Sequence, residues 1–569
     1  MKNLYKIYLV VLIALVLGAC NNMFEPDPIN QQNEEFLLSD PTWAEGIMVK
    51  GYVDLNDTYL FNEVATDDAV TNVLEEDEAL NDFLRVATGE WSDLFNPLSE
   101  WGNYSTIYNL NYFMTIVDDV AWSWTSPRAN ELFASRHKGE AHALRALHYF
   151  ELLRNHAGEA GNGDMLGVPI VTVPLDITDN WALPRAQFDA CVNLIMSDLD
   201  SALSLLPDTW RDYEDDDSTR VFGVEYLNRI NGNIVKALRS RVATYAASPA
   251  FNNGVYDPAM VEEAANLSAE VLEVIGGVNG IPAEGHLFYD DDNDINNPEI
   301  IWRTNWEQSN DIEQNAFPPS LFGDGQVNPS QNLVNAFPMA DGYPIDHPSS
   351  TYDSGDPYTN RDPRLTAYII FDGNDMNGRV IETDVDFDSE DGLNKVPQST
   401  RTGYYLKKLL REDTNLEPGQ ENEQRHFFPY IRYTEIFLNY AESANEAWGP
   451  DGDPNGYGFT ARDVIAAIRE RGGIDPSDPY LASLTTKEQM REMIRNERRI
   501  ELSFEGYRFW DLRRWGLDLT ETARGIRISD SGNSIIDVEN RQYQEHMIYG
   551  PIDLDEILKY DGLLQNRGY

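Results

Sequence analysis

Two stretches of the 569-residue chain set indole rings beside carboxylate, amide and guanidinium groups. The first, residues 65–105, contains Asp67, Asp68, Arg85, Trp91, Asn96 and Trp101, with Asn103 beyond them. The second, residues 287–310, contains Phe288, Tyr289, Trp302, Arg303, Asn305 and Trp306. A flat ring gives rigid contact area at little entropy cost, of order 1 kcal/mol per platform. The polar neighbours add directional hydrogen bonds. Such a set suits an uncharged ligand with apolar C–H faces and many hydroxyls, and its chemistry is holding rather than bond-making. Trp306, Trp91, Trp101, Trp302, Tyr289, Asp67, Asp68, Arg85, Asn96 and Asn305 are therefore the expected ligand-binding residues.

The rings differ in local context. Trp91 follows Gly89 among polar residues and is expected to be exposed. Trp101 opens a helical run and either packs on Tyr108 and Tyr112 or faces outward. Trp302 and Trp306 are four apart; both face outward in an extended loop, whereas a strand puts Ile300, Trp302 and Thr304 on one face. Trp306, between Asn305 and Glu307, is the leading candidate.

Bond-making motifs are missing: no H-E-x-x-H, G-x-S-x-G, phosphate loop or G-x-G-x-x-G occurs. Carboxylate pairs could hydrolyse glycosides, but among 96 acidic residues a pair of suitable spacing arises by chance. No enzymatic activity is expected. Asp290, Asp292 and Asp294 alternate as calcium ligands would, yet Ile295 stands where an EF-hand loop requires glycine and no Glu takes the twelfth position. A solvated loop is expected there and at Asp215–Asp217, with no metal or cofactor. Calcium is left open, not predicted.

The elements that hold these residues follow from the whole chain. With 43 basic and 96 acidic residues the formal charge is −53, which argues against nucleic acid and anionic membranes as partners. At 42% hydrophobic residues the chain can bury a large core. Lys2 and Lys6 precede a short apolar run ending in Leu17-Gly18-Ala19-Cys20, a signal peptide over 1–19 with the form of a bacterial lipobox. Cys20 is the expected lipidation site, and residues 20–40 form a lipidated, flexible tether. Cys191, the other cysteine, falls at helical core spacing with Phe188, Ile195 and Leu199. Helical periodicity marks 138–158, 188–206, 225–247, 258–275, 430–448, 460–471 and 486–505. Small residues (Ala143 and Ala146, Ala243 and Ala246, Ala441 and Ala444) sit where helix pairs would cross, as in tetratricopeptide pairs. Residues 280–425 are dense in Gly, Pro, Asp and Asn, a long irregular insertion of the kind that usually carries function. The basic, aromatic stretch 495–516 carries Glu497, Glu501 and Glu505 beside its arginines. We expect it to be scaffold, neutralised by pairs three and four residues apart, with Met493, Glu497, Ile500, Phe504 and Tyr507 on one helical face.

Several segments carry a resemblance. Behind the lipobox come GEAHALRALHYFELLRNHAG (139–158) with GVPIVT (167–172), then ALRSRVATYAASPAFN (237–252). PSQNLVNAFPMADG (329–342), NRDPRLTAYI (360–369), TGYYLKKL (402–409) and IRYTEIFLNYAESANEA (431–447) follow. ERRIELSFEGYRFWDLRRW (497–515), PIDLDEI (551–557) and LLQNRGY (563–569) complete the series. In this order they resemble the SusD/RagB family of Bacteroidetes surface lipoproteins, nearly end to end. The resemblance implies a mostly α SusD-like fold. Four tetratricopeptide-like helix pairs (mainly 100–275 and 428–516) would support an irregular half with short strands (mainly 41–100 and 280–427), in one domain over 41–569. It implies a non-catalytic lipoprotein of the outer membrane, facing outward, that captures glycan for a SusC-like TonB-dependent transporter. The acidic balance favours a neutral glycan such as a glucan or fructan. Peptide capture, as in RagB-like members, is the alternative, and a secreted glycoside hydrolase a more distant one.

Overall fold

Helix starts are written into the sequence as a capping residue followed by proline. Asp40-Pro41, Ser126-Pro127 and Asp257-Pro258 each place a side-chain oxygen over the free N–H groups of the first turn, with proline where no N–H is needed. Thr460 with Asp463, and Thr486 with Gln489, form reciprocal capping boxes. The structure, a computed structural model, describes residues 34–73, 79–290 and 297–569. The signal segment, Cys20, Asp292 and Asp294 lie outside the described residues.

The long helices stack in chain order. Pro41–Val53 packs on Asn103–Ile116, which packs on Pro127–His156; the last pairs with Phe188–Leu205. Gly232–Ala246 pairs with Pro258–Glu273, and Tyr433–Trp448 lies against that pair and against Ala461–Arg471 and Lys487–Glu501. Gly139 allows one close crossing, since a Cβ there would stand 2.8 Å from Leu206 Cγ. Cys191 is packed in the core. The helix-paired architecture matches the expectation, with local shifts. Helix Gly232–Ala246 starts later than 225 because Asn231 caps it. Residues 429–432 are strand, not helix.

Helix Lys487–Glu501 stops before 505, and Phe504 adopts a left-handed backbone at φ +62°. Phe504 and Tyr507 therefore do not continue the helical face of Met493 and Ile500. The basic stretch is scaffold as expected, but its counter-charges come mainly from elsewhere. Arg514 does pair with Asp511 three residues away, at 2.7 Å, yet it also binds Glu442. Arg499 and Arg508 reach back to Asp67.

The irregular half has its own hydrophobic cluster, separate from that of the helices. Its sheets are two-stranded antiparallel ribbons. Helix Lys487–Glu501 joins the two cores: Met490, Met493 and Ile494 belong to the helical one, Ile500 to the other. At that junction buried Glu497 and Glu501 bind Arg364 from the irregular half, while Glu501 also takes Arg471 and lies near Arg432. Arg432 donates to Glu299 at 2.9 Å, to Glu505 at 2.7 Å and to the Glu501 carbonyl at 2.8 Å. Burial alone would raise the Glu501 pKa, but Arg471, Arg364 and Arg432 hold it far below the usual carboxylate range.

Removing one member of such a buried set leaves the others uncompensated. Glu501→Gln should lower stability by about 3–5 kcal/mol, whereas Lys50→Ala at an exposed pair with Asp54 should change it by less than about 1 kcal/mol. Urea unfolding midpoints measure both. Glu442 is held at about 2: burial raises it, and Arg514 prevails. A depressed pKa contributes stability above the unfolded value near 4.5 that is lost as pH falls toward 2. The stability gap between wild type and Glu442→Gln should therefore be full at neutral pH and shrink across that window.

Candidate functional site

An exposed indole needs a rigid mount, and the chain builds one as an interrupted ribbon. Strand Ile300–Arg303 pairs with Pro429–Arg432, and Glu307–Ser309 with Gln424–His426. The bulged register at Pro429 and Ile431 breaks regular pairing. Across the gap, Thr304 N–H donates to the Phe428 carbonyl and Phe428 N–H to Thr304 Oγ1, each at 2.9 Å. Trp306 projects from this gap with 42% of its surface exposed, and the Arg425 guanidinium lies 4.3 Å from its ring centre. The base of the ribbon is clamped by the Glu299–Arg432 pair.

The residues on either side of Trp306, Asn305 and Glu307, line a cavity of about 220 Å³ that the Trp306 ring itself does not line. Its aromatic wall comes from two distant segments: Tyr59 stacks with Phe61 at 6.1 Å and meets Phe428 edge-on at 5.1 Å. Phe428 meets Tyr430, whose ring lies 4.3 Å from that of Trp302. Phe61 holds a left-handed backbone at φ +50°, a cost of about 1–3 kcal/mol that tends to gather at functional sites. The Tyr59 hydroxyl is buried without a hydrogen-bond partner among the described residues. Burial and nearby Glu505 push its pKa well above the usual range, so it stays neutral. Asp57, Asn305, Glu307, Asp311 and Asn315 supply polar groups around the opening. His426, the one basic side chain among its described lining residues, lies 3.2 Å from Glu313. This arrangement can stack an apolar face and bond hydroxyls. Among the described residues, no group of three His, Cys, Asp or Glu side chains is placed to hold a metal ion.

A second cavity, about 190 Å³, lies on the helical side of the same wall. Its charges answer one another: Arg241 binds Glu435, Arg498 binds Asp511 and Arg514 binds Glu442. It reads as scaffold.

The ten expected binding residues are dispersed. Asn305 lines the cavity and accepts a hydrogen bond from Asn228, and Trp306 stands exposed next to it in the chain. Trp302 is in strand form and 3% exposed, its indole N–H donating to the Asn228 carbonyl at 3.0 Å; the outward alternative is corrected. Trp91, expected at the surface, is 1% exposed. Its N–H donates to Asn96 Oδ1 at 2.9 Å, and Phe509 and Arg513 cover its ring. Asn96 in turn donates to the Pro551 carbonyl, so its amide is engaged on both sides. Asp67 and Asp68 are buried against Arg499 and Arg508. Burial opposes ionisation of Asp67, yet the two arginines keep its carboxyl well below the usual range. Asp67 is a counter-ion to these arginines, whereas burial and the neighbouring Asp67 push the Asp68 carboxyl up. Arg85 folds over Phe95 and pairs with Glu90. Trp101 is half-buried, packed on Tyr104 and His156 rather than on Tyr108 or Tyr112. Tyr289 is half-buried against Phe288. Tyr59, Phe61 and Phe428 went unread; the aromatic pair Phe427-Phe428 just before a strand was the signal available.

Comparison with known proteins places this geometry in context. A model described as "SusD family" matches residues 298–569, and one described as "Starch-binding associating with outer membrane" matches 33–230. A SusD-like protein of Formosa agariphila is 23% identical over 527 residues, covering 90% of this chain and 91% of that one. The solved SusD-like protein of Bacteroides fragilis superposes with a TM-score of 0.74 at 25% identity, covering 95% of this chain and 99% of its own. A SusD-like carbohydrate-binding protein of the same organism gives 0.69 at 21%, covering 92% and 99%, a likeness of fold. No described helix is long and apolar enough to cross a membrane.

Trp91 and Trp306 should separate in stability. Trp91→Ala removes a fully packed indole and should lower unfolding free energy by about 3–5 kcal/mol. Trp306→Ala, at the surface, should stay within about 0.5 kcal/mol. Denaturant titration of both variants checks this.

Proposed function

The chain belongs to the SusD-like family, and we propose that it captures a neutral glycan at the cavity beside Trp306 and passes it, uncut, to a TonB-dependent outer-membrane transporter. The observation that carries this reading is an exposed Trp306 ring on a clamped ribbon whose neighbouring residues, Asn305 and Glu307, line a cavity walled by Tyr59, Phe61 and Phe428. A pyranose or furanose ring stacks on such surfaces through its C–H face, while the amides of Asn305 and Asn315 donate to or accept from hydroxyls and the carboxylates accept from them.

Charge narrows the ligand. Asp57, Glu307 and Asp311 line the opening, and His426 is already beside Glu313. A uronate or sulfated polymer would meet this acidic rim unfavourably, so a glucan or fructan fits better. One Bacteroides fragilis protein of this fold is described as carbohydrate binding, which supports a glycan ligand without specifying its charge. In the proposed arrangement Cys20 carries the lipid that holds the protein on the outer face of the outer membrane. Binding needs no metal.

Affinity electrophoresis of the soluble form through gels loaded with amylopectin, laminarin or inulin tests the reading. Retardation without release of new reducing ends, unchanged by EDTA, is expected with at least one polymer. Trp306→Ala should weaken it about tenfold or more, some 1.4 kcal/mol, at an unchanged melting temperature. Wild-type retention by Trp306→Ala would overturn the site, and reducing ends would overturn the non-catalytic role.

A further inference from the structure

Across the short helix Asp311–Ala316 from the Trp306 cavity lies a second opening, about 500 Å³ in volume. Asp311, Ile312 and Asn315 line the first, whereas Asn310 and Gln314 line the second. One helix, roughly 10–12 Å across with its side chains, therefore separates them.

The second opening has its own aromatic. Phe322 is 46% exposed and joins neither hydrophobic cluster. Its backbone is left-handed, at φ +66° and ψ +20°, which for a bulky side chain is an outlier. The surrounding loop enforces it. Pro318 and Pro319 restrict φ on the approach; Phe322 N–H donates to the Pro319 carbonyl at 2.9 Å, and Asp324 N–H to the Gln314 carbonyl at 2.8 Å. Ser320 N–H is tied to buried Asp391 at 2.8 Å. Gly323 is required by close approach, since a Cβ would lie 2.3 Å from the Phe317 carbonyl oxygen. The chain thus fixes a strained loop that holds a phenyl ring in solvent. Next to it, the carboxamides of Gln314 and Gln398 make no hydrogen bond among the described residues, and Asp324, Glu390 and Glu421 add carboxylates to a lining that also holds Leu416.

We infer that this opening is a second glycan subsite, with Phe322 as its platform and Gln314 and Gln398 bonding hydroxyls, so that one extended chain crosses the Asp311–Ala316 helix and engages both cavities. The inference rests on the Trp306 reading and adds that the ligand is a polymer held at two points. Two linked sites raise affinity through effective concentration, but only for a ligand long enough to span them.

Isothermal titration with oligosaccharides of increasing length, prepared from amylopectin, laminarin and inulin, together with the intact polymers, tests this on wild type, Phe322→Asn, Phe322→Tyr and Trp306→Ala. Asparagine tolerates the left-handed backbone, so Phe322→Asn removes the ring and keeps the loop; its melting temperature is the control. The expected result is a loss of about tenfold for long chains, unchanged affinity for the shortest bound oligosaccharide, and wild-type behaviour for Phe322→Tyr. Full long-chain affinity in Phe322→Asn, with Trp306→Ala impaired, would overturn the second subsite and leave the first standing. Equal losses at every length with a lowered melting temperature would assign Phe322 to structure and also overturn it. Unimpaired binding by Trp306→Ala, or no binding of any of the glycans, would overturn the primary reading and this inference with it.

Discussion

Arg432 and the carboxylates around it set the geometry on which the rest depends. Glu299, Glu501 and Glu505 converge on its guanidinium, and Glu501 shares Arg364 and Arg471. Lys408 adds an ammonium group against Glu505 and the Glu501 and Ser503 carbonyls. Taking so many charges out of water costs several kcal/mol per ion, repaid only when partners and spare donors are all satisfied. Such a lattice adds little net stability over a packed apolar core. It does penalise misplacement heavily, because any shifted member leaves a buried charge alone. The helices at 461–471 and 487–501, the Arg364 segment and the ribbon that ends in Arg432 are therefore held in one register.

That register reaches the candidate site directly. Glu299 precedes one strand of the ribbon and Arg432 ends the other, so the clamp fixes the base from which Thr304, Trp306 and Phe428 project. Loops as irregular as 304–306 could not by themselves hold rings in place. Here the backbone bonds across the gap, the buried clamp and the Tyr59–Phe428–Tyr430–Trp302 series of ring contacts restrict them. A pre-ordered platform loses little entropy when a ligand arrives.

The same lattice shapes the outside. Arg136, Arg185, Arg361, Arg364, Arg432, Arg469, Arg498, Arg513, Arg514 and Arg541 are all buried. Buried carboxylates such as Glu299, Glu442, Glu497 and Glu501 accompany them, so burial leaves the strong negative charge of the chain on its surface. Long-range repulsion of polyanions follows. The acidic rim of Asp57, Glu307 and Asp311 repeats that bias locally.

The helices, their starts and the scaffold role of 495–516 were legible because they rest on local physics: periodic apolar faces, caps and proline placement. The exposure of Trp306 was legible too, since Thr304 and Gln308, which alternate with it in extended backbone, are polar and offer no apolar face to bury it. Trp91 was not. Its neighbours are polar, yet Phe509, Arg513 and Gly550, more than four hundred residues away along the chain, close over it. Asp67 and Asp68 looked like ligand groups until Arg499 and Arg508 proved to be their partners. The wall of the cavity joins residues 59–61 to 427–428, and nothing in either stretch announces the other. Sequence alone determined the kind of elements and the family pattern, because those depend on neighbours along the chain. Which rings meet solvent was decided by long-range packing and charge pairing, which set burial through contacts that no local window contains.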